Sequence, residues 1–95
     1  MMATKKVASD EKIWYGLGMM APEQCRAARA WLGISQQDLA TRARVGLSTV
    51  KALERGGKLI PATIDAIQRA IEQAGIQLLT RADGSAEGIA ARSSD

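Results

Sequence analysis

Few residues in this sequence are equipped for covalent or acid–base chemistry. Cys25 is the only thiol, and no histidine exists anywhere in the chain to take its proton. Set on an inward helical face, such a cysteine behaves as a small apolar side chain and not as a nucleophile. One cysteine also rules out an intrachain disulfide and any cysteine-based zinc site. Asp65 and Glu72 lie seven residues apart and can share a helical face. Paired catalytic carboxylates need a cleft, however, and nothing around these two supplies one. Ser35 and Ser48 read as a helix cap and a surface hydroxyl, and the glycines at 16, 18, 56 and 57 lack the spacing of a phosphate loop. The chain is therefore not expected to be an enzyme, and no metal, cofactor or small-molecule ligand is expected.

The remaining chemistry is charge. The formal net charge of +3 is too small to identify a polyanionic partner by itself. Its distribution is more informative. From Arg42 to Lys58 stand Arg42, Arg44, Lys51, Arg55 and Lys58 against a single carboxylate, Glu54. Such a cluster suits a surface that faces phosphates; a solvated basic face is the plainer alternative.

The elements that must carry this cluster follow from composition and period. At 95 residues and 46% hydrophobic content, much of it alanine and with only three aromatics, the chain predicts one helical domain. No apolar run approaches the ~20 residues of a membrane span, and a cytoplasmic location is expected. Residues 1–20 are polar, then apolar between glycines, and read as a flexible arm. A first helix is predicted over about Pro22–Leu32, with Cys25, Ala28 and Leu32 as its inward stripe, Arg29 at the border and Gly33 as its stop. Trp31 follows that stripe and reads as a core or interface residue. Ser35 caps a second helix, with Asp38 completing a capping box and Leu39, Ala40 and Ala43 inward. After Arg44-Val45-Gly46, a third helix runs over about Leu47–Arg55, with Val50 and Leu53 inward. A loop ending at Pro61 leads to a fourth helix, about Ala62–Ala74, burying Ile64, Ile67, Ala70, Ile71 and Ala74. Ile76–Leu79 then reads as a strand, the Asp83-Gly84 pair as a turn, and Gly88–Arg92 as a return strand that would complete a hairpin. The domain proper is thus placed at 21–75, with the strand or hairpin and a frayed tail at 76–95.

Two short helices joined by a three-residue break, with small Ala40 where they cross, make a helix-turn-helix pattern. Val45 plugs the turn, and Val50 and Leu53 anchor the second of the two helices. Leu47, Ser48, Thr49, Lys51 and Ala52 are left near its outer face, where a helix of this kind meets base edges. The stretch Pro22–Leu79 resembles the phage-repressor (Xre/Cro) helix-turn-helix family. The resemblance rests on Arg29 in RAARAWLG, Ser35-Gln36 before DLA, the Val50-x-x-Leu53-Glu54 run, and Gly56. It implies an all-α, four-to-five-helix lambda-repressor-like bundle with a short C-terminal β-strand or hairpin. By position it also implies that Gln36 contacts a phosphate, that Ser48 and Ala52 meet base edges, and that Arg29 and Glu54 form a structural salt bridge.

Three positions depart from the family pattern. Arg44 replaces the usual glycine of the turn and would adopt positive φ at about 1 kcal/mol. Gly46 replaces the usual hydroxyl cap, a loss of a few tenths of a kcal/mol. Leu47 stands where a polar or basic residue is usual and can offer a base only an apolar contact. The expected function is a DNA-binding transcriptional regulator of repressor type. It would bind double-stranded DNA through Gln36, Arg44, Leu47, Ser48, Thr49, Lys51, Ala52, Arg55 and Lys58, as a homodimer joined through Ile76–Leu79. The alternative is a protein-binding antiactivator that grips a transcription factor through the Leu47 face.

Overall fold

The computed structural model describes residues 19–92. Four helices and a β-hairpin follow one another along the chain: α1 (Pro22–Leu32), α2 (Gln36–Ala43), α3 (Leu47–Glu54), α4 (Pro61–Gln73), β1 (Ile76–Thr80) and β2 (Ala86–Ala91). The helical bundle with a C-terminal hairpin expected from the sequence is what the chain forms. None of these helices is long and apolar enough to cross a membrane.

Local chemistry sets the element ends. Ser35 Oγ accepts the Asp38 backbone N–H at 2.9 Å while the Asp38 carboxylate accepts the Ser35 N–H at 3.1 Å, so the capping box at the start of α2 is complete. At the other end of α2, Arg44 sits in the left-handed region at φ 60°. The Val45 N–H reaches back to the Ala40 carbonyl at 3.0 Å, a helix terminus that glycine normally occupies. α3 begins without a side-chain cap, as Gly46 must leave it. It ends one residue before Arg55, where Gly56 at φ 84° lets the Gly57 N–H return to the Ala52 carbonyl. Pro61, expected in the loop, is instead the first residue of α4, where its missing N–H costs nothing.

The core is assembled from Met20, Cys25, Ala28, Leu39, Ala40, Val50, Leu53, Ile64, Ile67, Ile71 and Ile76, with Leu78 and Ile89 of the hairpin laid against it. Of the arm read over residues 1–20, only Met19 and Met20 fall among the described residues. Met20 is 1% exposed, with its N–H on Gln68 Oε1 at 3.2 Å. The frayed tail expected at 93–95 lies outside the described residues. Leu32 and Ala74, expected inside, are only half-buried. Trp31 is 66% exposed and thus no part of the core, because it projects from the side of α1 away from the stripe headed by Cys25.

β1 and β2 pair antiparallel from Ile76↔Ala91 to Leu79↔Gly88, and the register then slips so that Thr80 faces Ala86. Glu87 is therefore the extra residue of a β-bulge. Sequence reasoning missed what holds this hairpin to the bundle. Gln24, 3% exposed, donates from one amide nitrogen to the Leu79 carbonyl at 2.9 Å and to the Gly88 carbonyl at 3.0 Å. Its amide oxygen accepts the Ala21 N–H at 2.9 Å, so the same side chain closes the start of α1.

Candidate nucleic-acid interface

α2 and α3 cross beside Ala40, which is fully buried as the crossing requires. The crossing fixes α3 with Val50, Leu53 and Glu54 inward and the rest of its length toward solvent. Glu54 is the hub of this arrangement. Its Oε2 accepts Arg29 Nε at 2.7 Å and the Cys25 thiol at 3.3 Å; its Oε1 accepts Arg29 Nη2 at 3.0 Å and Gln36 Nε2 at 3.1 Å. Arg29 also donates to the Ile34 carbonyl, and Arg26 to the Glu54 carbonyl at the end of α3. Four hydrogen bonds thus converge on one carboxylate and tie α1, α2 and α3 together.

These contacts govern the protonation states. Burial alone would raise the pKa of Glu54, but the hydrogen bonds from Arg29, Gln36 and Cys25 outweigh it and hold the carboxyl below its usual range. The Cys25 thiol moves the other way. Burial first, then its hydrogen bond to Glu54 and that residue's charge, push it far upward, so it stays protonated as a donor. Asp65 pairs with Arg69 across one exposed helical turn at 2.6 Å, while Glu72 accepts from Gln68 at 3.3 Å, so the two carboxylates of α4 are engaged separately.

Around α3 lie the residues the sequence singles out. Ser48, Lys51 and Arg55 are exposed, Thr49 and Ala52 half-buried, and Arg44 and Lys58 are exposed on the segments that flank the helix. Arg44, Lys51 and Arg55 make no ion pair or side-chain hydrogen bond with any described residue. Ser48 and Thr49 likewise have hydroxyls without a bonded partner among the described residues. Gln36, at the first position of α2, is half-buried and commits one amide donor to Glu54; an amide has two, and the second is not used within the described residues. Leu47 is half-buried, and it is absent both from the core and from the apolar side chains packed on it. Among the described residues, the large apolar side chains that stand well exposed are Trp31 and Ile60. The surface around α3 thus offers several cations and small hydroxyls unpaired among the described residues, and the carboxylate among them is turned inward and neutralised.

A family model described as helix-turn-helix matches residues 26–78, more than half of the chain. The match runs from the middle of α1 into β1 and contains every residue of the surface just described. No curated protein matches the chain.

Proposed function

We propose, from the premise that this chain belongs to the Xre/lambda-repressor-like helix-turn-helix family of DNA-binding regulators, that it is a cytoplasmic transcriptional repressor. In this reading α3 enters the major groove of double-stranded DNA, with Ser48, Thr49 and Ala52 toward the bases and Lys51 at a base or phosphate. Gln36 donates its second amide hydrogen to a phosphate. Arg42, Arg44, Arg55 and Lys58 supply attraction that is independent of sequence. Two copies joined along Ile76–Leu79 would present two such helices to half-sites about one helical turn (~34 Å) apart.

The observation that carries the reading is the set of cations Arg44, Lys51 and Arg55, unpaired among the described residues, on and beside the outer face of α3, with Glu54 withdrawn into the Arg29 pair. Salt titration of binding to duplex DNA tests the proposal. Affinity should fall steeply and linearly in log–log form, and Lys51→Ala should flatten the slope by about one if its contact is a phosphate. A protein that binds no duplex at ~50 mM salt, where phosphate contacts are strongest, would not be a DNA-binding repressor.

A further inference from the structure

We infer that the start of α3 reads the 5-methyl group of a pyrimidine through Leu47, an inference that rests on the DNA reading above. The major groove presents donors, acceptors and one apolar feature, the C5 methyl group. Of the side chains that grip the donors and acceptors in pairs, the first turn of α3 holds none, and Lys51, one turn on, is suited to guanine alone. The helix, LSTVKALE, contains no asparagine or glutamine for adenine. Its glutamate, the residue type that accepts from cytosine, has both oxygens occupied by Arg29, Gln36 and Cys25. Arg55, which could fork onto guanine, caps the far end of the helix.

Beside Lys51 and the hydroxyls of Ser48 and Thr49, Leu47 and Ala52 are what the outer face of the helix offers a base. Leu47 occupies the first helical position and heads the ridge Leu47–Lys51–Arg55, while Ser48 and Ala52 form the adjacent ridge. Leu47 is half-buried yet packs on nothing in the core, so a large apolar side chain is held at the helix tip without an internal reason. Ala52 is short enough to let the backbone approach the base edges. The ligand is thus the methyl group itself, carried by thymine or by 5-methylcytosine.

The test uses the full chain and a duplex recovered from two randomised pools, one of ordinary DNA and one with 5-methylcytosine in place of cytosine. In the recovered duplex each thymine is exchanged singly for uracil, which lacks only the methyl group, and each 5-methylcytosine for cytosine. The parent should lose about three- to tenfold in affinity at one position per half-site. Leu47→Ala should bind methylated and unmethylated duplexes equally. Leu47→Gln, a second variant that restores an amide, should move the preference at that position toward adenine. The pool in which the sensitive position appears distinguishes thymine from 5-methylcytosine. A parent that binds DNA but is indifferent to every methyl deletion overturns the inference and leaves the DNA reading standing. Absence of any recovered duplex overturns both.

Discussion

Glu54 and Arg44 show how individual residues trade stability against the surface they support. Removing the Glu54 carboxylate strands the Arg29 guanidinium, the Cys25 thiol and one donor of Gln36. Breaking a fully buried ion pair costs ~3–5 kcal/mol; Arg29 keeps 22% of its side chain in solvent, so about 2–4 kcal/mol is expected for Glu54→Ala. In a domain this small that lowers the melting temperature by roughly 10 °C or more. The folded-state pKa of Glu54 lies below its unfolded value, so its contribution is complete above the unfolded value, about 4.5, and is lost as pH falls through the folded one. Thermal melts of the parent should therefore weaken below about pH 4.5, and Glu54→Ala should show a shallower acid limb. A variant that melts like the parent would show that the hub stabilises nothing. Arg44→Gly should act with opposite signs on two measurements. Relief of the left-handed conformation at φ 60° raises stability by up to ~1 kcal/mol. The lost cation weakens duplex binding and flattens its salt dependence by about one unit of slope. A loss of stability would mean that the Arg44 side chain contributes more than its backbone strain costs.

Among the elements, the hairpin depends most on a contact that no local pattern reveals. The helices were legible because their signals are local: Pro22, the Ser35–Asp38 box, Gly33 and Gly56 mark ends within one turn of themselves. The left-handed turn at Arg44 was legible only through the family resemblance, which puts a glycine at that position, and Arg44 does adopt φ 60°. The strands were legible from Asp83-Gly84 and the apolar run before it, although alanine and glycine in β2 gave the return arm a weak signature. Gln24 was not legible. It reads as an ordinary polar helical residue, and its acceptors lie 55 and 64 residues further along the chain. The Gln36–Glu54 bond was hidden likewise, since it requires the crossing of α2 and α3 to be in place. Gln24→Glu separates the two tasks of that side chain. A carboxylate still caps Ala21, but it cannot donate to the Leu79 and Gly88 carbonyls and would repel them. Leaving two half-buried acceptors without that donor, against ~1–3 kcal/mol for each fully buried one, should cost about 1–3 kcal/mol in all. Amide exchange in Ile76–Ala91 should accelerate before that of α2 and α3 does. Unchanged protection of the hairpin would show that Leu78 and Ile89 hold it without the clamp.

At the scale of the whole molecule, the hairpin has a second consequence. A two-stranded sheet is marginal alone, and this one persists because α4 packs on β1, α1 packs on β2, and Ile76 enters the core at 1% exposure. Those contacts cover one face of the sheet. Each strand keeps one edge that no other strand pairs within the described residues, and a bare edge next to half-buried Leu79 is open to strand addition. β1 already has β2 on its other side, so a partner copy would extend the sheet and not, as a lone strand would demand, create it. We expect the β1 edges of two chains to meet about a two-fold axis. Sedimentation equilibrium should then give the mass of two chains at micromolar concentration. Leu79→Glu should give the mass of one, because it places charges at the junction. Leu79 packs on no part of the core, so the variant should keep nearly the parent's melting temperature. The loss should also appear in binding. Two linked helices engage a two-fold site with an effective concentration that a monomer lacks, so affinity for such a site should fall by roughly 10² or more, whereas a single half-site should be bound almost equally by both proteins. A parent that sediments as one chain at every concentration would remove the dimer and assign all of the affinity to one α3 and its flanking cations.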